Sequence, residues 1–151
     1  MGIEEDLKQG KHYDNPFEKL IVNIMFTNSW LMDQQSQVFK PFGITAPQYN
    51  ILRILRGQYP ESCTVNTLIE RMIDRMSNAS RIVDRLEAKK LVERNVSKID
   101  RRAKDVLITE QGLMLLERVD DALRQWLSGL ENISPDLANE MSDSLDQLRS
   151  R

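Results

Sequence analysis

Two short clusters of polar and cationic residues carry the chemistry of this chain. In "MSNASRIVDRLEAKK", Ser77, Asn78 and Ser80 sit at the start of a helical pattern, where short polar groups and unpaired backbone amides can reach phosphates or base edges. Arg81 and Arg85 follow one turn apart on the same face, and either guanidinium could donate two hydrogen bonds to a guanine, worth roughly 1 to 3 kcal/mol of discrimination. The second cluster is "KIDRRAKDVLITEQG", in which Lys98, Arg101, Arg102 and Lys104 surround Asp100 and an apolar run follows at once. Arg101 and Arg102 fall at the tip of a hairpin pattern, where burial does not explain them and where an arginine can enter the narrow, electronegative minor groove of DNA. The competing reading pairs Arg81 and Arg85 with Asp84 or Glu87 on a solvated helix, an arrangement worth about 0 to 1 kcal/mol.

Net charge conceals this concentration. The chain of 151 residues is formally −2, yet residues 71–104 hold 11 Lys and Arg against 5 Asp and Glu, while the remainder holds 10 against 18. Such segregation points to a basic face for a polyanion, with an ordinary solvated basic surface as the alternative.

The elements that must position these groups follow from caps and periodicity. Asn15-Pro16 starts a first helix that carries Phe17, Leu20, Ile21, Ile24, Leu31 and Val38 and is stopped by Pro41 and Gly43. Thr45-Ala46-Pro47-Gln48 has the capping-box pattern and opens a second helix from about Ala46 to Arg56. Thr64 caps a short third helix with Val65, Leu68 and Met72. After a turn at Ile73-Asp74-Arg75, a fourth helix is expected from Met76 to Lys90, with Ala79, Ile82, Val83 and Leu86 inward. Strands are expected near Leu91–Val96 and Lys104–Ile108, burying Val92, Val96, Val106 and Ile108, with 98–103 as the loop between them. Thr109 caps a long fifth helix, and Ser134-Pro135 opens a final one with the stripe Leu137, Met141, Leu145 and Leu148. The first dozen residues read as a loosely held polar tail.

Helix, turn, helix and two strands in this order make a winged helix-turn-helix, with the fourth helix as reader of the major groove. The stretch "TLIERMIDRMSNASRIVDRLEAKKLVER" followed by "DRRAKDVLITEQG" resembles the MarR family of bacterial transcription regulators. Upstream, "ITAPQYNILRIL" resembles the family's second-helix pattern. The resemblance implies a mainly α (α+β winged helix) fold in a single unit, 1–151. Within it, 45–112 would form the DNA-binding lobe, and 15–40 and 113–150 would form dimerisation helices. It also implies a sequence-specific regulator of double-stranded DNA, with repression the favoured sense, acting as a homodimer on a near-palindromic operator. Carried over to matching positions, Ser77, Asn78, Ser80, Arg81 and Arg85 take the recognition-helix roles. Arg102 takes the minor-groove role, and Asp100 becomes the acid that holds a wing or recognition-helix arginine in position. The turn Ile73-Asp74-Arg75 departs from the family's small-residue turn.

The resemblance further implies a small aromatic or amphipathic effector in a pocket between the dimer helices and the lobe, with Trp30, Met32, Tyr49 and Leu52 in segments that could line it; core packing is the competing role for each. Other function classes are excluded or disfavoured by composition and motif. Hydrophobic residues are 40% and charged residues 29%, as in soluble globular proteins. No apolar run approaches a membrane span and no signal peptide is evident, so a cytoplasmic location is expected. One cysteine, Cys63, leaves no intramolecular disulfide, and one histidine, His12, removes most routes to a metal site or a catalytic triad. No P-loop, dinucleotide turn or activated nucleophile is visible, so no enzyme activity, cofactor or metal is expected. Cys63 lies away from the first-helix position of the family's peroxide sensors, which argues against redox sensing. A winged-helix module that binds protein rather than DNA is the alternative.

Overall fold

The helix starts are decided locally, by side chains that satisfy the orphan amides of the first turn. In the computed structural model, which describes residues 2–10, 12–130 and 132–150, five expected caps are realised. Asn15 Oδ1 accepts from the Phe17 amide at 2.9 Å and opens α2 (Pro16–Phe39). Thr45 and Gln48 cap each other reciprocally, at 3.3 and 3.2 Å, to open α3 (Ala46–Gln58). Thr64, Thr109 and Ser134 accept from amides three residues on, at 3.1, 3.1 and 3.2 Å. These open α4 (Val65–Arg71), α6 (Glu110–Ser128) and α7 (Pro135–Arg149). Between α2 and α3, Lys40–Phe42 form a short 3-10 turn closed by Gly43 at φ +68°, a left-handed conformation that glycine adopts without a Cβ penalty.

Three elements differ from the sequence expectations. The amino-terminal segment is docked rather than loose within 2–10, since Ile3–Asp6 form α1, with Ile3 buried beside α2. Glu4 meets Lys19 at 2.8 Å, and that hydrogen-bonded ammonium holds its carboxyl below the ordinary 4.5. Met1 and Lys11 lie outside the described residues. Helix α5, the expected reader, spans Ala79–Ala88, later than the expected Met76 start, because Asp74 and Asn78 close the backbone ahead of it. Finally, Cys63–Thr64 form a strand, β1, beyond the two that were expected.

Strand β1 pairs with β3 (Lys104–Ile108), which pairs with β2 (Val92–Val96), giving an antiparallel sheet of order β1-β3-β2. The β2–β3 register runs from Val92 opposite Ile108 to Val96 opposite Lys104. Val92, Val106 and Ile108 are buried as expected, but Val96 is exposed. Val96 lies on the same face as Val92, yet at the far end of the ribbon, beyond the helices that cover the sheet.

One core joins the lobe to the flanking helices. Ile51, Leu52 and Leu55 of α3, Leu68 of α4, Val83 and Leu86 of α5 and the three strand residues pack with Phe39 of α2 and with Leu116 and Val119 of α6. Arg56 and Asp120 bridge α3 and α6 at 2.5 Å. A Cβ on Gly112 would lie 2.4 Å from the Leu91 carbonyl oxygen and 2.7 Å from Ile108 Cγ1, so glycine lets the first turn of α6 press against the base of the wing. By contrast, α7 contains no buried residue, and Leu137, Met141 and Leu148 are exposed along it. The chain is a mainly helical winged-helix fold, and no helix among the described residues is long and apolar enough to cross a membrane.

Candidate nucleic-acid interface

The turn before α5 is built by side chains. Ile73 donates its amide to Asn50 Oδ1 of α3 at 2.9 Å, which fastens the turn to the lobe. Asp74 accepts from the Met76 amide at 3.0 Å and from the Ser77 hydroxyl at 2.8 Å, so its carboxylate closes a local turn that competes with helix. Asn78 then caps α5 by accepting from the Arg81 amide at 3.1 Å. Ser77 and Asn78 therefore precede the helix rather than forming its first turn, and their side-chain oxygens are engaged within the turn and cap. Ser80 remains exposed in the first turn.

Burial of Ala79, Val83 and Leu86 fixes the rotation of α5 and turns Arg81 and Arg85 outward. Neither arginine is paired with a carboxylate among the described residues. Asp84, the nearest candidate in sequence, is instead bound by Arg94 of β2, and the same guanidinium donates to the Ser80 carbonyl at 3.2 Å. Arg94 thus braces the first strand of the wing against the reading helix and leaves Arg81 and Arg85 available. At the other end, Lys89 donates to Gln48 Oε1 at 3.1 Å and to the Gly43 carbonyl, tying the end of α5 to the junction of α2 and α3.

The wing tip is shaped by its own hydrogen bonds. Ser97 donates its amide to the Ala103 carbonyl, and its hydroxyl accepts from the amides of Ile99 and Asp100 at 3.2 and 3.3 Å. Asp100 Oδ1 accepts from the Arg102 backbone amide at 2.9 Å. In the free chain the acid therefore orders the backbone that carries Arg102 and does not grip a guanidinium. Arg101 and Arg102 both project into solvent. The sheet and α5 thus bring Ser80, Arg81, Arg85, Arg101 and Arg102 onto one winged lobe as exposed donors.

The four residues considered for an effector pocket divide between the core and the surface of α2. Leu52 is fully buried in the core, and Tyr49 stacks on Phe39 at 4.8 Å, its hydroxyl pushed up in pKa by burial. Trp30 and Met32 are exposed on α2, where Met32 borders a groove with Ser36, Lys40, Ile44 and Pro47. No group of His, Cys, Asp and Glu suited to a metal occurs among the described residues.

Sequence reasoning did not single out Arg94, Ser97 or Lys89. Arg94 offered only the faint signal of a charge on the inward face of a strand otherwise marked by Val92 and Val96. The roles of Ser97 and Lys89 depend on contacts with Ala103, Gln48 and Gly43, which have no local signature.

The geometry has counterparts among known proteins. Residues 42–103 match the family model described as MarR family. Over 97% of its length the chain is 28% identical to the transcriptional repressor MprA of Escherichia coli strain K12, covering 90% of that protein. It also superposes with a TM-score of 0.80 on a mutant MarR from E. coli complexed with operator DNA, at 22% identity, covering 93% of this chain and all of that one. The Bordetella bronchiseptica protein BpsR, whose DNA binding is regulated by 6-hydroxynicotinic acid, superposes with a TM-score of 0.77 at 20% identity over 94% of this chain and 99% of its own. The matched segment runs from the turn after α2 through α5 to the wing tip, the parts on which the exposed arginines are mounted, and over that segment the chain resembles the MarR family.

Proposed function

We propose that this chain is a sequence-specific, double-stranded DNA-binding transcription regulator, a repressor that works as a homodimer on a near-palindromic operator. The observation that carries the reading is the set of exposed guanidinium groups on α5 and the wing, Arg81, Arg85, Arg101 and Arg102, none of them paired with a carboxylate among the described residues, with Asp84 taken by Arg94 and Asp100 by a backbone amide. A solvated helix would pair Arg81 or Arg85 with Asp84; here Asp84 binds Arg94. In the proposed complex, Ser80, Arg81 and Arg85 enter the major groove and Arg102 the minor groove, with Arg101 on the backbone. Asp100, Ser77 and Asn78 hold the loops that aim them. The repressor MprA and the operator-bound MarR point the same way.

The homodimer is supported by the uncovered apolar faces of α2 and α7, where Phe17, Met25, Leu137 and Met141 are exposed. A twofold axis through these arms would set two reading helices about 34 Å apart, one helical turn of DNA. Modulation by a small amphipathic effector is supported by BpsR and by the groove at Met32, where Lys40 offers a cation beside Ile44 and Pro47.

Selection of bound duplexes from random DNA, followed by affinity measurement at two salt concentrations, tests the reading. A near-palindromic site should emerge, and neutralising about 6 to 10 phosphates should lose about 10³ to 10⁵ in affinity between 50 and 200 mM salt. Failure to enrich any duplex, or an affinity indifferent to salt, would leave the lobe as a protein-binding module.

A further inference from the structure

The three most exposed large apolar side chains among the described residues are Ile99 at 98%, Met76 at 93% and Ile73 at 88%. None belongs to the arms. Ile73 and Met76 lie in the turn between α4 and α5, and Ile99 lies at the wing tip. The most basic surface of the molecule therefore also carries its least covered apolar groups.

Met76 is held out from a fixed backbone. Its amide is bound by Asp74, which also takes the Ser77 hydroxyl, and Asn78 caps α5 two residues later. The Ile73–Asn50 hydrogen bond anchors the same turn to α3. An apolar side chain thus stands immediately before the amino-terminal end of the reading helix, the end that approaches base edges in helix-turn-helix complexes. Exposed cations flank it in sequence, Arg71 and Arg75 on one side and Arg81 on the other. A partner for such a surface must be anionic and must still present an apolar group. The major groove of DNA supplies both, because the thymine C5-methyl projects into it between the phosphate chains.

We propose that Met76 is a specificity-determining residue that packs its side chain against the C5-methyl group of a thymine in the major groove, beside the bases addressed by Arg81 and Arg85. This inference rests on the DNA-binding reading above. Methionine suits the role, since its unbranched, polarizable chain adapts to a contact whose position is set by the arginines.

The test uses the duplex enriched by selection from random DNA, with each thymine replaced singly by deoxyuridine, at fixed ionic strength. Wild type, Met76→Leu and Met76→Gln are compared; the site is exposed, so all three should unfold at the same temperature. At one thymine in each half-site, loss of the methyl should weaken wild type and Met76→Leu about fourfold, the equivalent of ~0.8 kcal/mol for one buried methyl-sized group. Met76→Gln should bind the two duplexes equally. If Met76→Gln and wild type show the same ratio at every thymine, Met76 reads no methyl and the inference is overturned. If no duplex is enriched at all, the DNA-binding reading fails and takes this inference with it.

Discussion

In the winged lobe, the apolar residues of α3, α4 and α5 meet one another and the sheet, so Leu52, Leu68, Val83 and Leu86 are fully buried within a single chain. In α7, residues of the same chemical type at the same helical spacing stay largely uncovered: Leu137, Met141 and Leu148 remain exposed, and no residue of that helix is buried. The lobe has buried its apolar residues in a core shared with α2 and α6 and presents charge, whereas the outer faces of the arms present apolar stripes. Apolar surface of that extent is costly in water and marks a contact still to be made. On the proposed function the two regions take different partners, a polyanion for the lobe and a second copy of the arms for the arms.

That contrast can be broken most forcefully by substitutions matched across it. Leu86→Ala should cost about 2 to 5 kcal/mol in denaturant unfolding, because the cavity would open under the reading helix. The double substitution Leu137→Asp and Met141→Asp should instead leave the lobe folded and halve the mass measured by light scattering at micromolar concentration. If wild type already has a monomeric mass, or if the double variant loses the lobe as Leu86→Ala does, the two regions do not differ in the way described. Gly112→Ala comes next. Its methyl would press on the Leu91 carbonyl, a backbone atom that cannot swing aside, and should cost about 1 to 3 kcal/mol of thermal stability.

Within the lobe, the reading helix and the wing should separate by the kind of affinity they supply. Arg85→Ala should lose about 1 to 3 kcal/mol on the selected operator and far less on random DNA, since it removes base discrimination. Arg102→Ala should weaken both, while the dimer stays intact. Equal losses on specific and random duplexes for Arg85→Ala would reassign that side chain to the phosphates.

How much of this was legible in the sequence depended on how local the cause was. Asn15, Thr45, Thr64, Thr109 and Ser134 each cap a helix within three residues, so their positions in the sequence sufficed. The start of α5 was misplaced although its signals were present. Asp74 and Asn78 each close the backbone locally, and together they defer the helix past Met76 and Ser77. Contacts between distant segments had no local signature: the brace from Arg94 to Asp84, the docking of Ile3 on α2, and the pairing that makes a strand of Cys63 and Thr64. Val96 shows the converse limit, since alternation identified its face of the sheet but not where the covering helices end. In the arms, periodicity placed the apolar stripes correctly, but it does not say which chain covers them.

The smallest effect concerns Cys63, which β1 places against Val106 of β3 inside the lobe. Burial pushes its thiol above the ordinary value of 9.0, outweighing the opposing influence of Arg71. A raised thiol pKa means a smaller thiolate fraction at neutral pH, and the thiolate is the reactive form. Alkylation of the native protein at pH 7.5 should therefore be at least about tenfold slower than alkylation of the chain unfolded in guanidinium, combining low ionisation with poor access. The same shift gives a sign for stability. Because the folded thiol resists deprotonation, its contribution is fully present below the unfolded pKa and declines as pH rises through the folded one; Cys63→Ser should remove that alkaline slope, on top of a pH-independent cost for burying a hydroxyl in the apolar core. Mild peroxide should likewise leave DNA affinity unchanged. A peroxide-induced loss of binding that disappears in Cys63→Ser would mean that the lobe opens at β1 far more readily than its packing implies, and the division between a closed lobe and open arms would have to be redrawn.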